Sequence, residues 1–499
     1  MSVSINQNNL FTKACHYADA GHYSESLDIF HKLENLFPDE AALYFLMGMC
    51  EYEIKKLANA RSSLERCLQI NPRLNQANQL LGNILRDLRE FNLAIDSYKR
   101  EISLNPNYPD VLNDLGMLYF IKDDYDKAKD AYDQAVKIDS SYADPYQNMA
   151  MIHIRQKQFK LAEEQLKVAI KLKANNLEAI AALANLKKHT CKFEEAWVLY
   201  QYRFELELKE EKKFFKKAVW TDKLVKNKRI YLYGEQGIGD QILYGTMFRE
   251  AFETQNKFIV SVDERLLSIF NRSFSQYNNV DFISKDDEVK ESLFDMQLAI
   301  GDLGKFFRKS KDDFKAITPC YFQSDEVKRN ALRTQFITRK RITCGIAWKS
   351  NSNKVGSDKS LDLRELAPIL NLRDISFVDL QYGDTLKERE ALKKESGIDI
   401  NKVEDIDNFN DIDGLSSLID ACDFIVTISN VTAHIAGALG KKVFLMVPYS
   451  KGRCWYWHDG LKTSLWYPSI QVFTQTETGD WSAPINQIKE KIVEEISYE

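Results

Sequence analysis

Hydrophobic and polar positions follow a 34-residue period through the first two-fifths of the chain. Units beginning at Gln7, Ala41, Asn75, Pro109, Ala143 and Leu177 place the same residue types at the same offsets. Offset eight holds Ala14, Gly48, Gly82, Gly116, Ala150 and Ala184, and offset twenty holds Ser26, Ala60, Ala94, Ala128, Ala162 and Ala196, all small. Offset twenty-four holds Phe30, Leu64, Tyr98, Tyr132, Leu166 and Tyr200, all large. Helices cross closely where both carry a small side chain, and the large residue is expected to fill the gap to the next unit. Pro38, Pro72 and Pro106 close the first three units, since proline lacks the N–H and clashes with the preceding turn. The period predicts an α-solenoid of six helical hairpins, whose groove receives an extended peptide or a helix of a protein partner. Homo-oligomerisation through the repeats is the other reading. The sixth unit is the most degenerate, with Lys187 and Arg203 at normally apolar offsets.

After the basic stretch at 211–217 the pattern changes to short apolar runs alternating with helical segments, the signature of an α/β fold. Candidate strands lie at 229–233, 258–262, 280–283 and 297–300, and a second set at 342–348, 375–380, 424–428 and 443–447. A polar stretch at 323–340 reads as a helix and linker between the sets. The expected organisation is a solenoid over 1–210, a first doubly wound lobe over 211–335 and a second over 336–499, with a cleft between the lobes.

A chain of 499 residues exceeds what one core supports, which agrees with this division. Composition, 44% apolar and 28% charged, is that of an ordinary globular protein. A formal charge of -5 lacks the basic surplus that affinity for a phosphate backbone requires, so nucleic acid is not an expected partner. No apolar run reaches membrane-spanning length and the amino terminus lacks a leader pattern, so a cytoplasmic protein is expected. The eight cysteines form no CxxC pair and have no histidine at metal-ligand spacing; they read as reduced structural thiols, and no metal is expected.

Three segments carry candidate chemistry. In the first, residues 231–245, a strand enters a glycine-rich turn (Gly234, Gln236, Gly237, Gly239) and then an apolar helix. Asp240 starts that helix at the carboxyl end of the strand, where ligands of open α/β sheets sit, and it can accept a proton from a hydroxyl nucleophile or simply cap the helix. In the second, residues 345–363, a strand delivers Lys349, Ser350 and Asn351 to its carboxyl end. A lysine there suits a diphosphate, although a solvated loop lysine is the competing reading. In the third, residues 423–450, a buried strand ends at Ser429 and Asn430 before a small-residue helix with Thr432, Ala433 and His434 near its start. Its first N–H groups and dipole make a natural phosphate seat.

Residues 7 to about 210 resemble the tetratricopeptide family. The GEQGIGDQI run, the GIAWKSN run, the LQYG run at 380–383, TAHIAGALGKKVFLMVPY and the closing stretch at 466–481 together resemble heptosyltransferase-related glycosyltransferases of the GT-B type, over roughly 220–488. The nearest likeness is to the bacterial subgroup with amino-terminal tetratricopeptide repeats. The resemblance implies two Rossmann-like lobes, the first on the acceptor side, the second holding a nucleotide-sugar donor. By position, Asp240, Lys349 and His434 match the catalytic set, with Asp240 as general base and Lys349 stabilising the departing phosphate. Ser350, Asn351, Gln381, Tyr382, Ser429, Asn430, Thr432 and Ala433 match the donor-binding set. Many relatives have Asp-Thr where this chain has Ser429-Asn430, which leaves the sugar and the nucleotide open.

The architecture is also similar to protein O-linked N-acetylglucosamine transferases and repeat-containing flagellin glycosyltransferases. The expectation is therefore an inverting, metal-independent glycosyltransferase acting on a Ser or Thr of a protein held by the repeats, flagellin or another surface protein. The nucleotide sugar is a co-substrate, and no cofactor is expected. Two alternatives stand beside it: a non-catalytic scaffold with a decayed second half, and a glycosyltransferase acting on lipopolysaccharide or another glycan.

Overall fold

The computed structural model describes residues 2–206, 216–235, 237–336, 342–352 and 355–496. Most of the basic stretch at 211–217, the end of the polar stretch at 323–340, and Gln236 lie outside them. Contacts divide the chain into two compact units, Met1–Asn176 and Leu177–Glu499.

The first unit is a run of five helical hairpins: α1 (Ser2–Asp19) with α2 (Tyr23–Glu34), α3 (Ala41–Glu53) with α4 (Leu57–Ile70), α5 (Ala77–Asp87) with α6 (Phe91–Leu104), α7 (Pro109–Ile121) with α8 (Tyr125–Ile138), and α9 (Ala143–Arg155) with α10 (Phe159–Leu172). The small alanines at offset twenty, Ala60, Ala94, Ala128 and Ala162, are fully buried. The large residue at offset twenty-four reaches the next unit, as Tyr132 does in one buried cluster with Met149 and Ile152 of the following hairpin. It also covers the glycine of its own hairpin: a Cβ on Gly82 would lie 2.4 Å from Tyr98 Cε1, and one on Gly116 would lie 2.5 Å from Tyr132 Cε1. The ring occupies the space the missing Cβ leaves. Gly116→Val is expected to force that ring aside and to cost about 1–3 kcal/mol, read as a lower urea midpoint.

The second unit opens with one more hairpin, α11 (Leu177–His189) and α12 (Phe193–Tyr200), and continues as two parallel sheets with helices. The first sheet has the order β1-β5-β2-β3-β4, with β1 Ala218–Val219, β2 Arg229–Tyr233, β3 Lys257–Val262, β4 Val280–Ser284 and β5 Met296–Ala299. The second has the order β11-β10-β9-β6-β7-β8, with β6 Ile342–Ala347, β7 Ile375–Asp379, β8 Ile400–Asn401, β9 Phe424–Ile428, β10 Lys442–Val447 and β11 Ile470–Thr474. Every paired strand in both sheets is parallel. Each sheet therefore reverses its strand order once. The chain winds outward from β2 and then returns to its other side at β5; it winds outward from β6 and returns at β9. Those reversals leave crevices at the carboxyl ends of β2, β6 and β9, where open α/β sheets take ligands.

The contacts place the break between units after Asn176, not near 210, because the sixth hairpin is built into the α/β part. Trp197 Nε1 donates to Arg308 O at 2.6 Å, Phe193 packs on Phe314 with ring centres 5.0 Å apart, and Tyr200 and Tyr244 share a hydrogen bond of 2.9 Å. Arg203 donates to both oxygens of Glu235 at 2.8 and 2.6 Å and to Asp302 at 2.8 Å, all inside the fold. Arg203→Met should cost about 3–5 kcal/mol, because it leaves those carboxylates buried without their cation; a denaturant midpoint measures it. The break between lobes also falls earlier than 335. The helix Glu326–Phe336 joins the second lobe, where Arg333 donates to Asp423 at 2.8 Å and to Ala421 O at 3.1 Å.

Candidate functional site

The three segments converge on one cleft of about 330 Å³ inside the second unit. Gly239, Ser350, Asn351, Tyr382, Ser429, Asn430 and His434 line it, as the sequence grouped them. The two lobes approach closely there: a Cβ on Gly239 would lie 3.1 Å from His434 Cδ2, so the ring would have to give by a few tenths of an ångström.

Asp240 is the third residue of the helix Ile238–Gly245, whose N-cap is Gly237. It is not itself the cap. Its carboxyl accepts the Gly237 N–H. Burial pushes its pKa up to about 6, against the pull of Lys188 and Lys359. A carboxyl of that kind can take a proton near neutral pH.

Asn430 caps the helix Val431–Ala438, its Oδ1 accepting from Ala433 N at 3.3 Å and from Thr427 Oγ1 at 3.2 Å. Its Nδ2 is buried and has no partner. Ser429 Oγ accepts from Trp457 Nε1 at 2.8 Å, so this hydroxyl braces the wall of the cleft.

His434 is buried between two phenols, with Nδ1 3.0 Å from Tyr467 OH and Nε2 3.3 Å from Tyr456 OH. Burial, with Lys359 nearby, pushes its pKa down to about 3. The ring is neutral and cannot serve as a cation.

Lys349 does not reach the cleft. Its Nζ lies 2.6 Å from Glu388 Oε1, and the other oxygen of Glu388 accepts Trp348 Nε1 at 3.0 Å. The helix Leu386–Ser396, which carries Glu388, thus captures both residues at the exit of β6. Gln381 is buried and its Oε1 accepts the Trp348 and Lys349 N–H groups at 3.0 and 2.8 Å, tying the ends of β6 and β7 together. Thr432 and Ala433 are buried and do not line the cleft. Gly234 serves the backbone: its N–H donates to Ser261 O at 2.7 Å, and a Cβ there would meet the same oxygen at 2.6 Å.

Two cations line the cleft, Arg265 and Lys359, the latter ten residues beyond Lys349. Lys359 is only 7% exposed and makes no ion pair or hydrogen bond with any described residue. A lysine this buried is nearly always paired, and an ammonium without a partner among the described residues can hold an anion. The signal that could have found it is Gly356. A Cβ there would strike Ser350 O at 2.3 Å, so the loop folds back over the exit of β6 and turns Lys359 inward. The sequence reading also missed the rim formed by Arg265, Asn408 and Phe409. Arg265 pairs with Asp263 at 2.8 Å and donates to Phe409 O at 3.2 Å, joining the lobes.

Comparison with known proteins bears first on the hairpins. The tetratricopeptide-repeat family matches residues 11–74, 76–108, 109–142 and 143–176. These segments are tetratricopeptide repeats. Such arrays are surfaces for protein partners. Protein FlbA of Caulobacter vibrioides is 27% identical over 315 residues, 59% of this chain and therefore more than the repeats occupy. The chain spans about half, 51%, of that relative's length. Among solved structures, MamA is 22% identical with a TM-score of 0.31, covering 32% of this chain and 94% of that one. YrrB, a TPR protein with an unusual peptide-binding site, is 20% identical with a TM-score of 0.32, covering 36% and 96%. No described helix is long and apolar enough to cross a membrane.

Proposed function

We propose that the second unit is a glycosyltransferase with two GT-B lobes, and that it transfers a sugar from a nucleoside-diphosphate donor to a hydroxyl of a protein held by the repeats. One observation carries the reading: Lys359 and Asn430, whose side-chain nitrogens have no partner among the described residues, line one cleft with a helix amino terminus, beside a carboxyl whose pKa burial raises to about 6. Lys359 Nζ, Asn430 Nδ2 and the first N–H groups of the helix Val431–Ala438 would hold the diphosphate. The acceptor oxygen forms a bond to the anomeric carbon as the bond from that carbon to the phosphate oxygen breaks. The hydroxyl proton passes to Asp240, and the bonding electrons leave with the nucleoside diphosphate, whose charge Lys359 and the helix stabilise. Inversion and independence of metal are part of this proposal. The role first given to Lys349 passes to Lys359, and His434 shapes the wall as a neutral ring.

A protein acceptor is supported by the repeats themselves, and the FlbA match extends beyond them. The test is a thermal-shift series with nucleoside diphosphates, since a ligand that binds only the folded state raises the midpoint. The wild type should respond to at least one of them. Lys359→Ala should lose the response, and Lys349→Ala should keep it. A response lost in Lys349→Ala and kept in Lys359→Ala would place the diphosphate elsewhere.

A further inference from the structure

The sixth hairpin brings a second buried lysine to the same region. Lys188, on α11, is 1% exposed, and its ammonium sits between two rings, 3.7 Å from the centre of Tyr200 and 4.3 Å from that of Trp455. The ammonium makes no ion pair or hydrogen bond with any described residue. Three carboxylates act on it electrostatically: Asp240, Glu235 and Asp302. Glu235 is taken by Arg203 through both oxygens and by Gly301 N–H at 3.1 Å, and Asp302 is also bound by Arg203. Of the three, Asp240 is the one without an ion pair to any described residue.

The connection is direct in structure. Tyr200, which stacks under the Lys188 ammonium, hydrogen-bonds Tyr244. Tyr244 follows Asp240 by four residues on the helix Ile238–Gly245, so the two share one face. We propose that Lys188 is a positioning residue whose caged cation keeps Asp240 ionised, so that a hairpin continuing the repeat pattern governs the general base of the α/β unit. The proposal rests on the reading of Asp240 as that base.

Every charged or titratable group facing the pair acts in a known direction. Burial and the Arg203 guanidinium push Lys188 down to about 7, against the pull of Asp240, Glu235 and Asp302. Asp240 is pulled down by Lys188, Lys359 and the Gly237 N–H, and the phenols of Tyr200, Tyr244, Tyr456 and Tyr467 stand around it, all held neutral by burial. The charge on each group therefore acts on the other. The aromatic rings favour the cation without competing for the carboxylate.

The experiment compares full-length Asp240 and Asp240→Asn proteins in unfolding stability from pH 4 to 9, within three backgrounds: Lys188, Lys188→Met and Lys188→Arg. In each background the difference bends at the folded-state pKa of Asp240. With Lys188 the bend is expected near 6. With Lys188→Met it should lie at least about one pH unit higher, a tenfold change in the proton affinity of Asp240. With Lys188→Arg it should return to the wild-type position, because the guanidinium keeps the charge and stacks on the same rings. Should Lys188→Met fail to fold, Lys188→Gln gives the same reading. An unmoved bend in the uncharged variant, or a bend that Lys188→Arg fails to restore, overturns the proposal. The readout needs no substrate, so it is separate from the transfer reading. If the bend moves as expected, the acidic limb of any transfer-rate profile should move with it. If the bend moves while that limb stays, Lys188 governs Asp240 but Asp240 is not the base.

Discussion

Asp240→Asn should reduce sugar transfer by a factor on the order of 10²–10⁴, the usual contribution of a general base, and should at the same time stabilise the protein above pH 6. Both effects come from one feature. The carboxyl titrates near 6 in the fold and at the ordinary value of 3.8 when unfolded. The folded state therefore binds more protons between those values, and stability falls as pH rises through that window. The amide has no charge to bury. The substitution should leave stability unchanged below about pH 4 and raise it by roughly 2 kcal/mol at pH 7–8, once solvent screening of this half-buried group is allowed for. Calorimetry at two pH values measures the gain, and transfer of labelled sugar measures the loss. Reduced stability at both pH values would mean that Asp240 holds the fold together instead of standing ready for chemistry.

The second large effect concerns where the chain can be cut. A fragment starting at Leu177 is expected to unfold cooperatively, whereas one starting at residue 211 should not fold at all. The shorter fragment lacks Phe193, Trp197 and Tyr200, which belong to the main hydrophobic core of the second unit. Each such aromatic is worth about 3–5 kcal/mol. It also lacks Arg203, leaving Glu235 buried and Asp302 nearly so without their cation, at a further cost of about 3–5 kcal/mol. Their sum reaches or passes the upper part of the roughly 5–15 kcal/mol by which typical domains are stable. Circular dichroism melts of the two fragments decide the matter. Equal melts would show that the sixth hairpin only decorates the α/β unit.

Much of this architecture was legible in the sequence, for reasons that differ along the chain. The repeats declare themselves because a 34-residue period fixes small against large at each crossing, as with Gly82 under Tyr98. Eight of the nine described strands longer than two residues are legible as short apolar runs, which, β4 apart, the sheets largely bury. β1 and β8, each two residues long, carry too little pattern to read, and β11 lay within a closing stretch noticed only for its resemblance. The sixth unit was recognised as degenerate, yet the cause needed three dimensions: Arg203 departs from the apolar pattern because it meets Glu235 and Asp302 in the α/β unit. Lys349 and Lys359 belong to the same polar stretch, and no periodicity separates a lysine held by Glu388 from one folded inward by Gly356. His434 stood at the right place in the motif, but its charge state depends on burial between Tyr456 and Tyr467, which lie far along the chain.

The measurement that bears most directly on the central claim is a crystal structure of the full chain soaked with the nucleoside diphosphate that gives the largest thermal shift. The account predicts phosphate density over the amino terminus of the helix Val431–Ala438, within hydrogen-bond reach of Lys359 Nζ and Asn430 Nδ2 and facing Asp240 across the cleft. Phosphate density beside Lys349 and Glu388 instead, or a saturated protein whose Lys359 remains without a ligand, would contradict it.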